Sequence, residues 1–278
     1  MIQTALITGG SGVIGSSVAK HFVDAGYHVF ILGRDEKKLH EIKERLGEAC
    51  QVCVGDVSDA SGMRALFTGL ESRIKYLNVL VTTAGIYGEI NALTNADSDH
   101  WQDAFRVNVF GTMHAVKYAL PLLRRSENGK VIVFAGGGEG PLPHLSSYAA
   151  SKAAVIRFAE SVAVELSGEC ISVNAIYPGL INSGFVHSII AAGPERAGET
   201  VYQDACAQVS GKMETIGPEL AAQFCLFLAS EEMAGVTGKL FAARWDDPDT
   251  ILKHREDIMT SDIYTARRIK PKDRGYDW

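Results

Sequence analysis

A short apolar run near the start of the chain, Thr4–Thr8, passes directly into Thr8-Gly9-Gly10-Ser11-Gly12-Val13-Ile14-Gly15, and an amphipathic segment over 16–25 follows. No other feature constrains the fold so tightly. Strand, glycine turn and helix in immediate succession are the first half of a βαβ unit, because glycines permit the tight turn between them. The same glycines let the backbone approach a charged group closely, and the helix N-terminus behind them offers free N–H groups and a positive dipole end. A glycine pattern alone is weak, but one that opens a βαβ unit points to the pyrophosphate of a dinucleotide.

The rest of the chain keeps that rhythm. Apolar runs recur at 27–32, 51–54, 79–82, 130–134 and 171–176, with a short one at 240–242. They are continuous rather than alternating, as expected of strands covered on both faces. Helical periodicity lies between them, at 36–46, 109–124 and 148–167 among others. The pattern predicts an α/β fold, a Rossmann-type doubly wound parallel sheet of about seven strands in a single domain. No repeat or linker divides the chain. We expect a dinucleotide-binding catalytic domain over 1–244, with a lid at about 183–213, where Gly193-Pro194 interrupts a weak helical period. Residues 245–278 form an extension whose aromatics, Trp245, Tyr264, Tyr276 and Trp278, favour packing on the domain or on a neighbouring subunit.

A chain of 278 residues with 46% hydrophobic content can bury about three-quarters of its unfolded surface without a disulfide or a metal. A net charge of −6 argues against a nucleic-acid partner. No apolar stretch approaches the roughly 18 residues of a membrane span, and residues 2–7 run into the glycine loop with no basic leader before them. The expectation is a cytoplasmic location with no membrane partner. Cys50 and Cys53 make a C-x-x-C at the start of an apolar run, which reads as buried thiols rather than a redox pair. No metal site is expected.

The second strand ends in Leu32-Gly33-Arg34-Asp35. An acidic residue at the position of Gly33 would bind the ribose diol of NAD and repel a 2′-phosphate, whereas Arg34 can pair with that phosphate. NADP is therefore the first choice and NAD the second. The competing arrangement pairs Arg34 with Asp35 or Glu36 and leaves Asp35 to serve NAD. Asp56, followed by Val57, can accept from the adenine amino group, or it can cap the helix beginning near Ser61.

Ser146-Ser147-Tyr148-Ala149-Ala150-Ser151-Lys152 opens a long helix. Residues four apart share a helix face, so Tyr148 and Lys152 converge. A phenol is a poor base at its ordinary pKa near 10, and a neighbouring ammonium lowers it toward working pH. Such a pair facing a nicotinamide can exchange a proton with an alcohol or carbonyl while hydride moves.

Together these residues resemble the classical short-chain dehydrogenase/reductase family, over roughly residues 3–242. Ala84-Gly85 is similar to the end of the family's N-N-A-G signature. The resemblance places Asn108 at the family's catalytic Asn, which orders a water beside the Lys. It also assigns Asn174, Pro178, Gly179, Ile181 and Ser183 to the segment contacting the nicotinamide half. It implies a homodimer or homotetramer through the helices at 109–124 and 148–167, where Ala149, Ala150, Ala153 and Ala154 permit close packing.

Three departures stand out. The glycines run 9, 12 and 15, as in extended members, with Val13 where classical members have Gly. Thr82-Thr83 replaces Asn-Asn, weakening a support between strands. Most seriously, Ala135 occupies the position of the catalytic Ser, 13 residues before Tyr148, with Gly138 on the family's usual Gly. Losing such a donor costs about 10²–10³ in rate. Ser146 and Ser147 are poor replacements unless a helix-start hydroxyl reaches inward.

The leading expectation is an NAD(P)-dependent oxidoreductase interconverting an alcohol and a ketone, impaired to the extent that Ala135 matters. The alternatives are an NADP-binding sensor or partner subunit without turnover and, third, a sugar-nucleotide epimerase or dehydratase. Arg244, His187, Arg196 and Glu139 near the expected mouth suggest a small polar substrate, such as a sugar or sugar nucleotide.

Overall fold

The structure is a computed structural model describing residues 2–137 and 140–277. Seven strands, β1 (Thr4–Thr8), β2 (His28–Gly33), β3 (Cys50–Val54), β4 (Val79–Thr82), β5 (Gly129–Phe134), β6 (Ile171–Tyr177) and β7 (Leu240–Ala242), form one sheet. Their order is β3-β2-β1-β4-β5-β6-β7, and every pairing is parallel. The order reverses between β1 and β4. In an open parallel sheet the strands' carboxyl ends splay apart at such a reversal and leave a crevice.

The crossovers are α1 (Val13–Asp24), α2 (Glu36–Leu46), α3 (Ala60–Glu71), α4 (Ser98–Ala104), α5 (Gly111–Leu123) and α6 (Ser146–Glu165). A π-helical turn, Phe105–Phe110, joins α4 to α5. Successive strand residues face opposite sides, so each strand feeds two cores. Ala5, Ile7, Ile31 and Val81 pack with α1 and with α9 (Pro218–Ala229) on one side. Leu6, Leu32, Leu80 and Val133 pack with α3, α5 and α6 on the other. No helix among the described residues is long and apolar enough to cross a membrane. Cys50 and Cys53 are buried and unpaired, and burial pushes both thiols up to about 11.

The weakly periodic segment at 183–213 is more regular than its sequence suggests. It forms α7 (Gly184–Ala197) and α8 (Glu199–Val209), broken at Gly193 (φ 75°) and Gly198 (φ 80°). Those breaks reset the helical phase, which blurs the period along the sequence. The pair closes a small third core with Ile90, Leu145 and Ile189.

The extension folds as α10 (Pro248–Lys253) and α11 (Arg255–Thr260), seated by Ile251 and Ile258 in the α1/α9 core. Of the expected aromatic anchors, Tyr264 packs on Phe241 with ring centroids 4.9 Å apart, and its carbonyl accepts from Leu240 N at the outer edge of β7 (2.7 Å). Trp245 and Tyr276 are instead exposed, and Trp278 lies outside the described residues. Aliphatic side chains do most of the anchoring.

Candidate active site

The crevice at the ends of β1 and β4 is a cleft walled by the glycine loop, the β2 and β3 ends, and the start of α7. Gly9 takes φ 67°, and a Cβ there would lie 2.7 Å from Ala84 N, so the loop packs backbone to backbone against the end of β4. A Cβ on Gly15 would lie 2.8 Å from Thr83 Oγ1. Gly12 caps α1 with no side chain, and Ser16 N is the first amide to bond back into the helix, on Gly12 O at 2.9 Å. The earlier amides of α1 carry no side-chain cap, which suits an anionic group. Ser11, Val13 and Ile14 line the cleft with them. Val13 begins the helix 42% exposed, so its departure from glycine falls outside the tight turn.

The Thr82-Thr83 substitution does not weaken the strand support as expected. Thr83 Oγ1 donates to Thr8 O (2.7 Å), beside the backbone bond from Thr83 N to the same oxygen (3.2 Å). A threonine hydroxyl is long enough to tie these adjacent strands. Thr82 Oγ1 is buried without a partner among the described residues.

At the adenosine end, the Arg34 guanidinium lies 3.6 Å from the Asp56 carboxylate and is 67% exposed. It pairs with neither Asp35 nor Glu36. Asp35 caps α2, its Oδ1 accepting from Lys38 N (3.1 Å). Asp56 does not cap α3; Asp59 does, accepting from Ser61 N (3.0 Å). Asp56 accepts from Ser58 N (2.8 Å) and Ser58 Oγ (2.7 Å). Burial works against its charge, yet those bonds and Arg34 hold its carboxyl below the usual range. Val57 packs beneath Gly111 and its carbonyl meets His114 Nδ1 at 2.8 Å.

The other end is built from three elements. Tyr148, on the first turn of α6, sets its hydroxyl against Gly136 just beyond β5. Its ring lies 4.7 Å from Tyr87 and 5.8 Å from Phe185 between centroids. Lys152, one turn on, donates to Phe134 O (2.7 Å), with Nζ 6.0 Å from the Tyr148 ring centroid. Burial pushes Lys152 down to about 8. Burial, and then Tyr87, push the Tyr148 phenol well above its ordinary range. The expected lowering of the phenol by the ammonium is therefore absent here, because Lys152 is directed at a carbonyl rather than at Tyr148.

Asn108 is fully buried in the π-helical turn. Its Oδ1 accepts from Ile86 N (2.8 Å), and its Nδ2 donates to Ile86 O (2.9 Å) and Ser151 Oγ (2.8 Å). Both amide hydrogens are used, so Asn108 clamps the loop after β4 to α6. Gly85 sits at that junction: a Cβ there would lie 3.2 Å from Asn108 Oδ1, 3.6 Å from Lys152 Nζ and 3.7 Å from Phe185 Cζ. It joins the cleft wall to the buried Lys152 and, through Phe185, to the half-buried Tyr148 ring.

Several expected positions lie elsewhere. Asn174 is a strand tie, donating to Val236 O (2.7 Å) and accepting from Lys239 N (3.0 Å). Gly179 packs on Ile216, and Ile181 bridges to the same residue; with Pro178 they stand off the cleft wall, which Ser183 alone of that set reaches. Ala135 is buried at the end of β5 with its N–H on Ile176 O (3.0 Å). Neither neighbouring serine substitutes for it. Ser146 Oγ accepts from Trp101 Nε1 (3.1 Å), and Ser147 Oγ donates to Tyr87 O (3.0 Å) and Glu89 O (3.2 Å). Of the mouth charges, Arg196 pairs with Glu89 (3.4 Å), Arg244 pairs with Glu214 (2.9 Å), and His187 is exposed. Glu139 and Gly138 lie outside the described residues. Sequence patterns gave no sign of Tyr87, Phe185 or Gly136: Tyr87 and Gly136 lie in loops, and Phe185 opens α7, where the helical period is weak.

Residues 3–192 match the short chain dehydrogenase family. The chain belongs to that family. It is 30% identical over 245 residues to 2-(S)-hydroxypropyl-CoM dehydrogenase 3 of Xanthobacter autotrophicus, covering 86% of this chain and 94% of that one. It is 33% identical over 196 residues to 3-oxoacyl-(acyl-carrier-protein) reductase FabG of Staphylococcus aureus, covering 68% and 78%. Among solved structures, an actinorhodin polyketide ketoreductase variant with NADPH superposes with a TM-score of 0.78 at 25% identity, over 87% of this chain and 95% of that one. The chain is thus an oxidoreductase of the NAD(P)-dependent short-chain type. A cofactor-binding sensor without turnover is not favoured beside such relatives. Nor is a sugar-nucleotide epimerase or dehydratase favoured beside them.

Proposed function

We propose that the chain reduces the carbonyl of a small polar substrate with NADPH, with NADH as the second-choice cofactor, and oxidises the corresponding alcohol in reverse. The observation that carries this reading is the meeting of Tyr148 and Lys152 at Gly136, with Lys152 Nζ also reaching Gly85 in the wall of the glycine-loop cleft. The uncapped first turn of α1, with Gly9, Ser11, Gly12 and Gly15, would take the pyrophosphate. Arg34 would pair with a 2′-phosphate, Asp56 with the adenine amino group, and Lys152 with the nicotinamide ribose. Val57, Ala84, Gly85 and Ser183 would wall the bound dinucleotide. NADP or NADPH in similar solved structures supports the choice.

The bound reduced nicotinamide supplies a hydride. Tyr148 then acts as the acid: its phenol is neutral at physiological pH, so it holds the proton that the carbonyl oxygen must gain. Lys152 and Asn108 fix the backbone around it, on Phe134 and Ile86. A sugar or sugar nucleotide is one substrate class consistent with a polar mouth. The cytoplasm and a homodimer or homotetramer through α5 and α6 complete the reading, supported by the exposed Phe110 and Val164 and the small Ala150 and Ala153.

Binding of NADPH and NADH measured by fluorescence, with turnover on a ketone panel for the parent and Tyr148→Phe, tests it. NADPH is expected to bind more tightly than NADH, and the variant to lose about 10²–10⁴ in kcat. Failure to bind either cofactor would refute the reading.

A further inference from the structure

We propose that Tyr87 is a catalytic residue whose hydroxyl hydrogen-bonds the substrate oxygen in place of the donor missing at Ala135. The inference rests on the ketone-reduction reading above and adds to it the second group that holds the reacting oxygen. Ala135 follows β5 and carries only a methyl group, so that position donates nothing. Ser147 and Ser151 spend their protons elsewhere: Ser147 donates to the Tyr87 and Glu89 carbonyls, and Ser151 donates to Tyr148 O (2.8 Å) while receiving Asn108. Ser146 is turned to α4, where its Oγ accepts from Trp101 Nε1 (3.1 Å).

Tyr87 differs from all of these. Its ring meets Tyr148 edge-on, with centroids 4.7 Å apart and planes at 76°, and its hydroxyl makes no hydrogen bond among the described residues. It lines a recess that runs from Ile86 past Gly88 to His100 and Ser188, and Ile86 also lines the dinucleotide cleft. The phenol is also held in place before any substrate arrives. Asn108 clamps both backbone groups of Ile86, Ser147 holds the Tyr87 carbonyl, and Phe185 packs on the other side of the ring at 4.7 Å. Burial pushes Tyr87 up to about 12, so it stays a neutral donor across the working range. A donor held in place beforehand needs no rearrangement as charge develops on the substrate oxygen.

In the step itself the carbonyl carbon gains the hydride and the C=O π pair moves onto oxygen. That oxygen takes the proton of Tyr148, leaving a phenolate there. Tyr87 keeps its own proton throughout and donates only a hydrogen bond.

The test is a mutant cycle of Tyr87→Phe, Ala135→Ser and the double variant. The readouts are kcat/KM for a ketone, melting temperature, and the calorimetric affinity of the NADP complex for the product alcohol. Phenylalanine preserves the ring packing, so Tyr87→Phe should melt with the parent. It should lower kcat/KM by about 10²-fold, as loss of one such donor does. Ala135→Ser should then recover about tenfold or more in the Tyr87→Phe background and clearly less in the parent, because the two donors serve one oxygen. Alcohol affinity should fall about tenfold in Tyr87→Phe, the value of one hydrogen bond. Unchanged kcat/KM in Tyr87→Phe, or an equal gain from Ala135→Ser in both backgrounds, overturns the assignment. A parent that turns over no ketone defeats the ketone-reduction reading instead, and the alcohol affinity then decides Tyr87: a fall supports the assignment and no change overturns it.

Discussion

A methyl group at position 136 should disable the reaction while sparing the fold and the cofactor cleft. Gly136 has an ordinary negative-φ or extended backbone, unlike its neighbour Gly137 (φ 83°), so Gly136→Ala carries no left-handed strain. What it meets is the Tyr148 side chain. A Cβ there falls inside the 3.0 Å that real Cβ contacts essentially never show from Tyr148 Oη, and 3.3 Å from Cζ, whereas ordinary contact begins at 3.4 Å. The ring cannot easily tilt away, because Tyr87 and Phe185 pack against it. The hydroxyl must therefore retreat by up to about 1 Å, and misplacing a reacting group that far costs about 10²-fold in rate. The assay compares kcat on one ketone, NADPH affinity and melting temperature for the parent, Gly136→Ala and Gly140→Ala. Gly140 has nothing within 4 Å of its Cβ position and serves as a neutral control. The expected result is a loss of about 10²-fold in kcat for Gly136→Ala alone, with NADPH affinity unchanged. Full activity in Gly136→Ala would refute the placement of Tyr148 as the proton donor against this backbone.

Two further outcomes follow from the charged groups. Arg34→Ala should raise the Kd for NADPH about tenfold or more, the value of a charge-assisted phosphate contact, and leave that for NADH nearly unchanged; an equal effect on both would remove Arg34 from phosphate recognition. Lys130, buried in β5 with no hydrogen-bond partner for its Nζ among the described residues, is pushed down to about 8 from 10.5 chiefly by burial. Between pH 8 and 9 the unfolded chain then holds a proton that the native state has released, so Lys130 contributes stability that rises with pH; the buried thiols of Cys50, Cys53 and Cys225, whose pKa values are raised, act in the opposite sense over the same window in parent and variant alike. Urea unfolding should show the change in stability to be about 1 kcal/mol less positive in Lys130→Met than in the parent over that window. Equal changes would place the lysine's titration outside it.

The sheet was legible because its strands are continuous apolar runs, and the cleft because glycines 9, 12 and 15 sit between the first strand and the first helix. Tyr148 and Lys152 were legible as a pair because a helix repeats its faces every four residues. What they point at was not. Lys152 is bound to a carbonyl 18 positions away, and Asn108 clamps residues 22 and 43 positions away. Local pattern also fails where one residue type has several local uses: Asp35 and Asp59 cap helices while Asp56, equally placed for a cap, meets Ser58 and Arg34.

The deepest gap concerns the catalytic end itself. Its side chains come from loops and from the first turns of helices, where no period marks the inward face. They are brought together by positions that have no side chain. Gly85 lets Asn108, Lys152 and Phe185 approach one backbone point, and Gly136 leaves room for the Tyr148 hydroxyl. Comparing the sequence with the serine-bearing members of the family draws attention to the missing hydroxyl at Ala135. The structure relocates the question, because a donor is defined by where it points and not by which position carries it. Tyr87, pinned through its own carbonyl by the residue preceding Tyr148, packs its ring on that of the proton donor, and its hydroxyl has no partner among the described residues. On the assignment proposed above, the absence at Ala135 removes one position from the site without removing its second donor.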